Sequence, residues 1–289
     1  MFPELIDTRP LRRAIDDGLN WVVRNWGGEL EAAAYPLLML LNAIERLLVA
    51  TPWWLIFLIL GGVAWLATRN WRLPALVLVS LFFLGLMGLW RDAMATTALM
   101  IAATLTVIVA SIPIGVWMSR SLRVRQIITP ILDLMQTLPS FVYLIPAVMI
   151  FGPGKIPALL ATIVYAAPPL VRLTDLGLRS VDPAVMEASR SFGTTPGQRL
   201  FGVQIPLALP TILAGVNQTT MMALAMVVIA SMIGAGGLGY QVLQGIGRLE
   251  VSRGLFAGLG IVVLAIIFDR ITQSFGKQLQ ARIGLSEAR

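Results

Sequence analysis

The chain has no cysteine and no histidine. The first absence excludes disulfides and thiol nucleophiles, and the second excludes imidazole acid–base catalysis. Together they remove the usual zinc sites. Charge is also scarce. Asp, Glu, Lys and Arg make up 13% of the 289 residues, against roughly 25% in a soluble domain. A surface so poor in charge cannot face water on all sides, so an integral membrane protein is the default class. The net charge is +7, but the basic residues are scattered through short intervals. No patch interleaves them with polar residues, and nucleic acid is not expected as a partner. The stretch MFPELIDTRP is acidic and mixed, and no cleavable signal peptide is expected in it.

What is abundant is apolar sequence. Hydrophobic residues make up 57% of the chain and the mean hydropathy is +0.81. A spanning helix needs about 20 mostly apolar residues. Seven candidates stand out, over residues 53–68, 73–89, 93–118, 127–151, 156–171, 206–233 and 254–268, the last ending at 268 or at 275. The first two are short, so lipid thinning or snorkelling flanks must make up the difference. Lys and Arg between the spans set the orientation. Thirteen fall on one side, including Arg72, Arg123, Arg190 and Arg270, and nine on the other, including Arg24, Arg46, Arg91 and Lys155. The richer side is expected to be cytoplasmic, with the N-terminus outside, residues 172–205 in the cytoplasm and a cytoplasmic tail over 276–289. Membrane lipid is therefore an expected neighbour.

Residues 1–52 are expected to form an extracytoplasmic region. Leu37, Leu40, Leu41, Ile44 and Leu48 recur at helical spacing, with Asn42, Glu45 and Arg46 on other faces. The stretch reads as too short and too charged to span. Two placements stay open: an amphipathic helix lying on the outer surface, with Trp53 and Trp54 in the interface belt, or a helix packed on the protein itself.

Several motifs carry less than their letters suggest. Residues 234–239, GAGGLG, fit G-x-G-x-x-G, but a membrane span precedes them instead of a strand, so they read as a turn with glycines at positive φ. FGPGK at 151–155 resembles a fragment of a phosphate loop, but Met149 and Ile156 break the pattern, so no ATP site and no cofactor is expected in this chain. Residues 217–219, NQT, form a glycosylation sequon inside a span and are set aside.

Asp133 lies in an apolar run, with Gln136 one turn on and Pro130, Pro139 and Pro146 interrupting the helix. Charged residues and broken helices in a membrane usually face a cavity or a partner. Asp133 is read either as lining a transport route or as a structural Asp–Arg pair. Asn217, Gln218, Thr219 and Thr220 in the sixth span are read either as interhelical hydrogen-bonding groups or as the lining of a polar passage.

The longest polar interval carries its own capping signals. Asp182-Pro183 starts a helix, Val181, Val185, Ala188 and Phe192 fall on one stripe, and Gly193 ends it as a left-handed cap. Thr195-Pro196 starts a second short helix and Pro206 opens the sixth span. A loop that only connects is usually short, and an apolar stripe on such a helix suggests a partner groove.

Glu187-Ala188-Ser189, three residues, Gly193, nine residues, and then Val203-Gln204-Ile205-Pro206 resemble the E-A-A-x3-G-x9-I-x-L-P signature of membrane subunits of bacterial ABC importers. Ser189, Val203 and Ile205 are mild departures. LDLMQTLPSFVYLIP, YAAPPLVRLTDLGLRSV, NQTTMMALAMVVIASMIGAGGLG and LAIIFDRITQ resemble the permeases for glycine betaine, proline betaine and choline, over roughly residues 90–275.

This resemblance implies an all-α membrane protein with the five-helix core of a type I importer permease over 90–275. The outer amphipathic helix and two extra transmembrane helices over 53–89 would precede that core, giving about seven spans. It implies ATPase coupling through Glu187, Ala188, Ser189, Gly193, Ile205 and Pro206. The implied partners are cytoplasmic ABC ATPase subunits, which hold ATP and Mg2+, a second permease copy in a homodimer, and an extracytoplasmic substrate-binding protein. Glycine betaine, proline betaine, choline, carnitine and trimethylamine N-oxide are the solutes of that class. Aromatic faces hold a quaternary ammonium by cation–π attraction. Asp133, Gln136, Phe141, Tyr143, Tyr165, Asn217 and Gln218 are the candidates for the path. A stand-alone secondary transporter or channel is the competing reading, and it predicts paired broken helices in two repeats. A membrane enzyme has no acid pair to support it.

Overall fold

The computed structural model describes residues 9–68 and 70–282, and these are almost wholly helical. The sequence expectations for residues 1–8, Arg69 and residues 283–289 lie outside the described residues. Helices α1 (Arg9–Ala50), α2 (Trp53–Thr68) and α3 (Arg72–Leu86) come first. The bundle proper follows with α4 (Trp90–Arg120), α5 (Leu122–Thr137), α6 (Leu144–Phe151) and α7 (Lys155–Arg179). Two short helices, α8 (Pro183–Ser191) and α9 (Pro196–Arg199), lead through a π-helical turn at Leu200–Gln204 into α10 (Ile205–Ala230). Helices α11 (Leu238–Gly247) and α12 (Val251–Arg282) complete the fold.

Five helices are long and apolar enough to cross a membrane, or six if the bent pair α5–α6 counts as one span. Helices α2 and α3, at 16 and 15 residues, are shorter apolar helices. Their outer faces expose Leu58, Ile59, Val79, Phe82 and Leu86, and Val109 of α4 does the same. Such surface is stable against hydrocarbon but not against water.

Helices α4, α7 and α10 form the centre. Their contacts use alanine heavily: Ala98, Ala102 and Ala103 of α4, Ala158, Ala161 and Ala166 of α7, and Ala223 and Ala230 of α10 are buried together. Small residues let membrane helices approach closely, so dispersion and interhelical hydrogen bonds replace the missing hydrophobic drive. At the α4–α7 crossing, a Cβ on Gly115 would stand 2.5 Å from Thr174 Cβ and 2.8 Å from the Val171 carbonyl. A second cluster joins α2 and α3 to α4, α11 and α12 through Ile56, Val77, Leu81, Leu84, Met94, Leu238, Leu264 and Ile267.

Four local readings change. Helix α1 is a single 42-residue helix, and its segment 12–50 passes as a span by length and composition, so the stretch is not too short to cross. Its stripe packs on the protein: Leu41 is 1% exposed, with Leu37, Ile44 and Leu48 against the same core. The fourth span is not one straight helix. Pro139 holds Leu138 in extended backbone (ψ 134°), and α5 meets the helical segment 140–151 at 109°. The helix expected to end at residue 171 continues through Pro168 and Pro169 to Arg179, so the polar interval starts at Ser180 instead of 172. Pro206 stands in the first turn of α10, as expected, but the helical path does not begin there. The chain is helical from Pro196 to Ile233, and the second short helix is the entry to that span.

Candidate functional site

Two regions carry polar chemistry, one at the end of the bundle bearing α8 and one in its interior. In the first, the Asp182 side chain accepts from Ala184 N at 2.8 Å with Pro183 in the first turn. Gly193 has φ +73° and nothing within 4 Å of where a Cβ would sit. Thr195 and Gln198 close a capping box at 3.3 and 2.9 Å. Ser189 is buried; its hydroxyl is 2.8 Å from the Thr194 hydroxyl, which donates to the Ser189 carbonyl at 2.8 Å. Arg199 donates to the Thr194 carbonyl at 3.1 Å, and Arg120 at the end of α4 donates to the Pro196 carbonyl at 3.2 Å. The α8 turn is thus tied to the end of α4.

This anchoring points the rest of the turn outward. Phe192 is 88% exposed, Phe201 72%, and Val185, Glu187 and Ala188 are exposed. Val181, Met186 and Ser189 supply the inner contacts instead of Ala188. Ile205 and Pro206 are half-buried in the first turn of α10 and hold the turn to the bundle.

Three acids organise the interior. Asp175 is nearly buried and accepts from Arg179 Nε and Nη2 at 2.9 and 3.0 Å, with Arg125 Nε at 3.4 Å. Sequence reasoning missed it by placing residues 172–205 outside the span, although D-L-G-L-R is an i,i+4 ion pair in plain view. Asp133 pairs with Arg172, two turns from the end of α7, and its side chain remains 57% exposed. Asp269 of α12 accepts from Asn217 Nδ2 at 3.2 Å and Gln273 at 2.7 Å.

The path candidates fall into separate groups. Asp133 and Gln136 are exposed one turn apart on α5, and Phe141 is exposed past the break. Tyr143 and Tyr165 meet edge to face at 6.2 Å, and the Tyr143 hydroxyl donates to the Met135 carbonyl across the break. Asn217 faces α12 and Gln218 is exposed, while Thr219 donates to the Ala166 carbonyl at 2.9 Å in the centre. One chain alone does not bring these side chains around a single cavity.

At the opposite end, GAGGLG is a turn with Gly234, Gly236 and Gly237 at φ +94°, +78° and +81°. It is fastened to α4 by Leu238 N donating to Thr96 Oγ1 at 2.9 Å, where Gly237 passes too close for any side chain. Asp92 accepts from Gln241 at 2.7 Å, and Arg253 donates to Gln241 Oε1 at 2.7 and 2.9 Å, joining α4, α11 and α12. Among the described residues, no group of three acids could hold a metal ion.

Residues 108–281 match the family model described as binding-protein-dependent transport system inner membrane component. The chain is 47% identical over 273 residues to the glycine betaine/proline betaine transport system permease protein ProW of Escherichia coli (strain K12), covering 94% of this chain and 77% of that one. It is 42% identical to the glycine betaine transport system permease protein OpuAB of Bacillus subtilis (strain 168), covering 94% and 96%. It is 45% identical to the glycine betaine/carnitine transport permease protein GbuB of Listeria monocytogenes, covering 80% and 82%. A chain of the inward facing MetNI methionine ABC transporter superposes with a TM-score of 0.61 at 22% identity, over 66% of this chain and 95% of that one. That likeness speaks for the fold of the bundle.

Proposed function

This chain belongs to the family of binding-protein-dependent transport system inner membrane components, and we propose that it is the permease subunit of an ATP-driven importer for glycine betaine or a related quaternary amine. The observation that carries the coupling half of this reading is the α8 turn. It is capped at both ends, followed by α9, which Arg120 of α4 holds through the Pro196 carbonyl, and presents Phe192, Val185 and Glu187 outward. An exposed apolar stripe on an anchored helix fits the groove of a partner, here a cytoplasmic ATPase subunit that binds ATP and Mg2+. Hydrolysis belongs to that partner, and this chain contributes no ATPase site. The α8 end is then cytoplasmic, in the inner membrane, and the opposite end, where α1 stops and α4 and α7 start, faces outward.

Asp133 supports a paired permease. A carboxylate that stays 57% exposed beside Arg172 is costly against lipid, so its face opens on water or on a second copy. Gln136 lies one turn on from it, and Phe141 is exposed past the break. Two chains related by a two-fold axis would enclose these side chains between them and complete the path that one chain leaves open. A solute-binding protein outside would deliver the substrate, and ATP-driven closure of the ATPases would rock the bundle through Arg120, α8 and the start of α10.

The names of the similar proteins support the solute class, and the chemistry agrees: no buried unpaired charge is needed to hold a cation whose charge is screened by methyl groups, and aromatic faces suffice. The test is uptake of radiolabelled glycine betaine, proline betaine, choline and carnitine by the complex reconstituted with its binding protein. Saturable uptake of one or more is expected. Uptake of none, alongside ATP-driven uptake of an unrelated solute, contradicts the assignment of class.

A further inference from the structure

At the end of the bundle opposite α8, α1 stops at Ala50, α2 starts at Trp53, α3 stops at Leu86, and α4 and α7 start at Trp90 and Lys155. Two pockets meet there. One, of about 570 Å³, is lined by Asn42, Glu45, Arg46, Arg91 and Lys155. The other, of about 510 Å³, is lined by Trp53, Phe57, Phe82, Leu86 and Trp90. They share Val49 and Ala50, so the charged pocket and the aromatic one lie side by side.

The charges in the first pocket do not cancel. The Lys155 ammonium is 2.6 Å from Glu45. Among the described residues, no ion pair is found for Arg46 or Arg91, which leaves two guanidinium groups facing one cavity. The second pocket is built to take hydrocarbon. Trp53 and Phe57 stand edge to face at 5.5 Å, Phe57 and Trp90 tilt together at 5.9 Å, and Phe82 and Leu86 are exposed beside them.

We infer that this paired site binds an anionic phospholipid, with its phosphate between Arg46 and Arg91 and an acyl chain in the aromatic groove. The depth is right, because five helix ends and two tryptophans mark the level where headgroups meet hydrocarbon. Arginine forks match phosphate oxygens in pairs. An acidic protein segment would satisfy the arginines but leave the adjoining groove uncovered. A single amphiphile satisfies both pockets and cements α1 and α2 to the central helices.

The test uses the intact complex purified in mild detergent and analysed by native mass spectrometry with added phosphatidylglycerol or phosphatidylcholine of the same acyl chains. The site predicts retention of phosphatidylglycerol over phosphatidylcholine. Replacing both Arg46→Gln and Arg91→Gln reduces that preference by about tenfold or more. Both arginines are exposed, so folding is preserved. Phe57→Ala weakens both lipids together. A photoactivatable phosphatidylglycerol labels the residues around 49–57 and 82–90 in the wild type and loses that label in the double variant. Equal retention of the two lipids, a preference untouched by the double substitution, or full competition by glycerol 3-phosphate alone overturns the inference. So does loss of solute-binding protein from the double variant with lipid preference unchanged, which identifies a protein-docking surface.

Discussion

Asp175 and Arg179 stand one turn apart near the end of α7, and the guanidinium grips the carboxylate through both oxygens at 2.9 and 3.0 Å. Arg125 reaches the same carboxylate from α5 at 3.4 Å. The carboxylate side chain is 6% exposed, whereas the two arginines keep 35% and 40% of their surface. The acid is therefore the irreplaceable member. Asp175→Asn leaves a buried amide against two cations and is expected to cost about 1–3 kcal/mol, below the range for a broken, fully buried pair because both arginines still reach solvent. Asp133→Asn, on an exposed pair, is expected to cost under about 1 kcal/mol. Thermal unfolding of the two variants in detergent checks the order, and equal losses contradict it.

Gly115 shows where the centre has no slack. The atoms facing it are Thr174 Cβ and a backbone carbonyl, neither of which can swing away like a side-chain tip. Gly115→Ala is expected to separate α4 from α7 at a cost of about 1–3 kcal/mol. Lower thermal stability and lower yield of monodisperse protein are the readouts.

Gly193 is the opposite case. Its φ of +73° is strained for other residues, but open space surrounds it. Gly193→Val costs about 1–2 kcal/mol of local strain and tilts the α8 turn, so the variant inserts and pairs normally while ATP-coupled uptake falls. Gly193→Asn, which tolerates left-handed backbone, is expected to restore most of it. If both variants transport like wild type, α8 does not transmit the stroke.

Phe192 should separate docking from folding. At 88% exposure it contributes almost nothing to the stability of this chain, and Phe192→Asp is expected to leave unfolding within about 0.5 kcal/mol. The same change buries an unpaired charge in the ATPase groove and should lower co-purification of the ATPase at least about tenfold.

Much of the α8 turn is legible in the sequence because capping is local chemistry. Asp182-Pro183, Gly193 and Thr195-Pro196 each act within four residues, and each is found where those residues place it. What is not legible depends on distant partners. Ser189 looks like part of an outward motif until Thr194 turns it inward. Helix α7 runs past two prolines, whose missing N–H groups free the Val164 and Tyr165 carbonyls, and its course is held by distant contacts such as Thr219 donating to the Ala166 carbonyl. The break at Leu138-Pro139 has a local signal in its proline, but the 109° angle across it has none. The length of α1 has none: its charged first half becomes a helix continuous with a second half that the core secures through Leu41.

The central claim is that this chain moves its solute only when a separate ATPase drives it through α8. The direct measurement is radiolabelled glycine betaine uptake into proteoliposomes under matched conditions: the chain alone with an imposed ion gradient, and the chain with its ATPase, ATP and the external binding protein. The account predicts uptake only in the second set, and its loss on Phe192→Asp. Gradient-driven uptake by the chain alone, unaffected by Phe192→Asp, would contradict it and establish a stand-alone transporter.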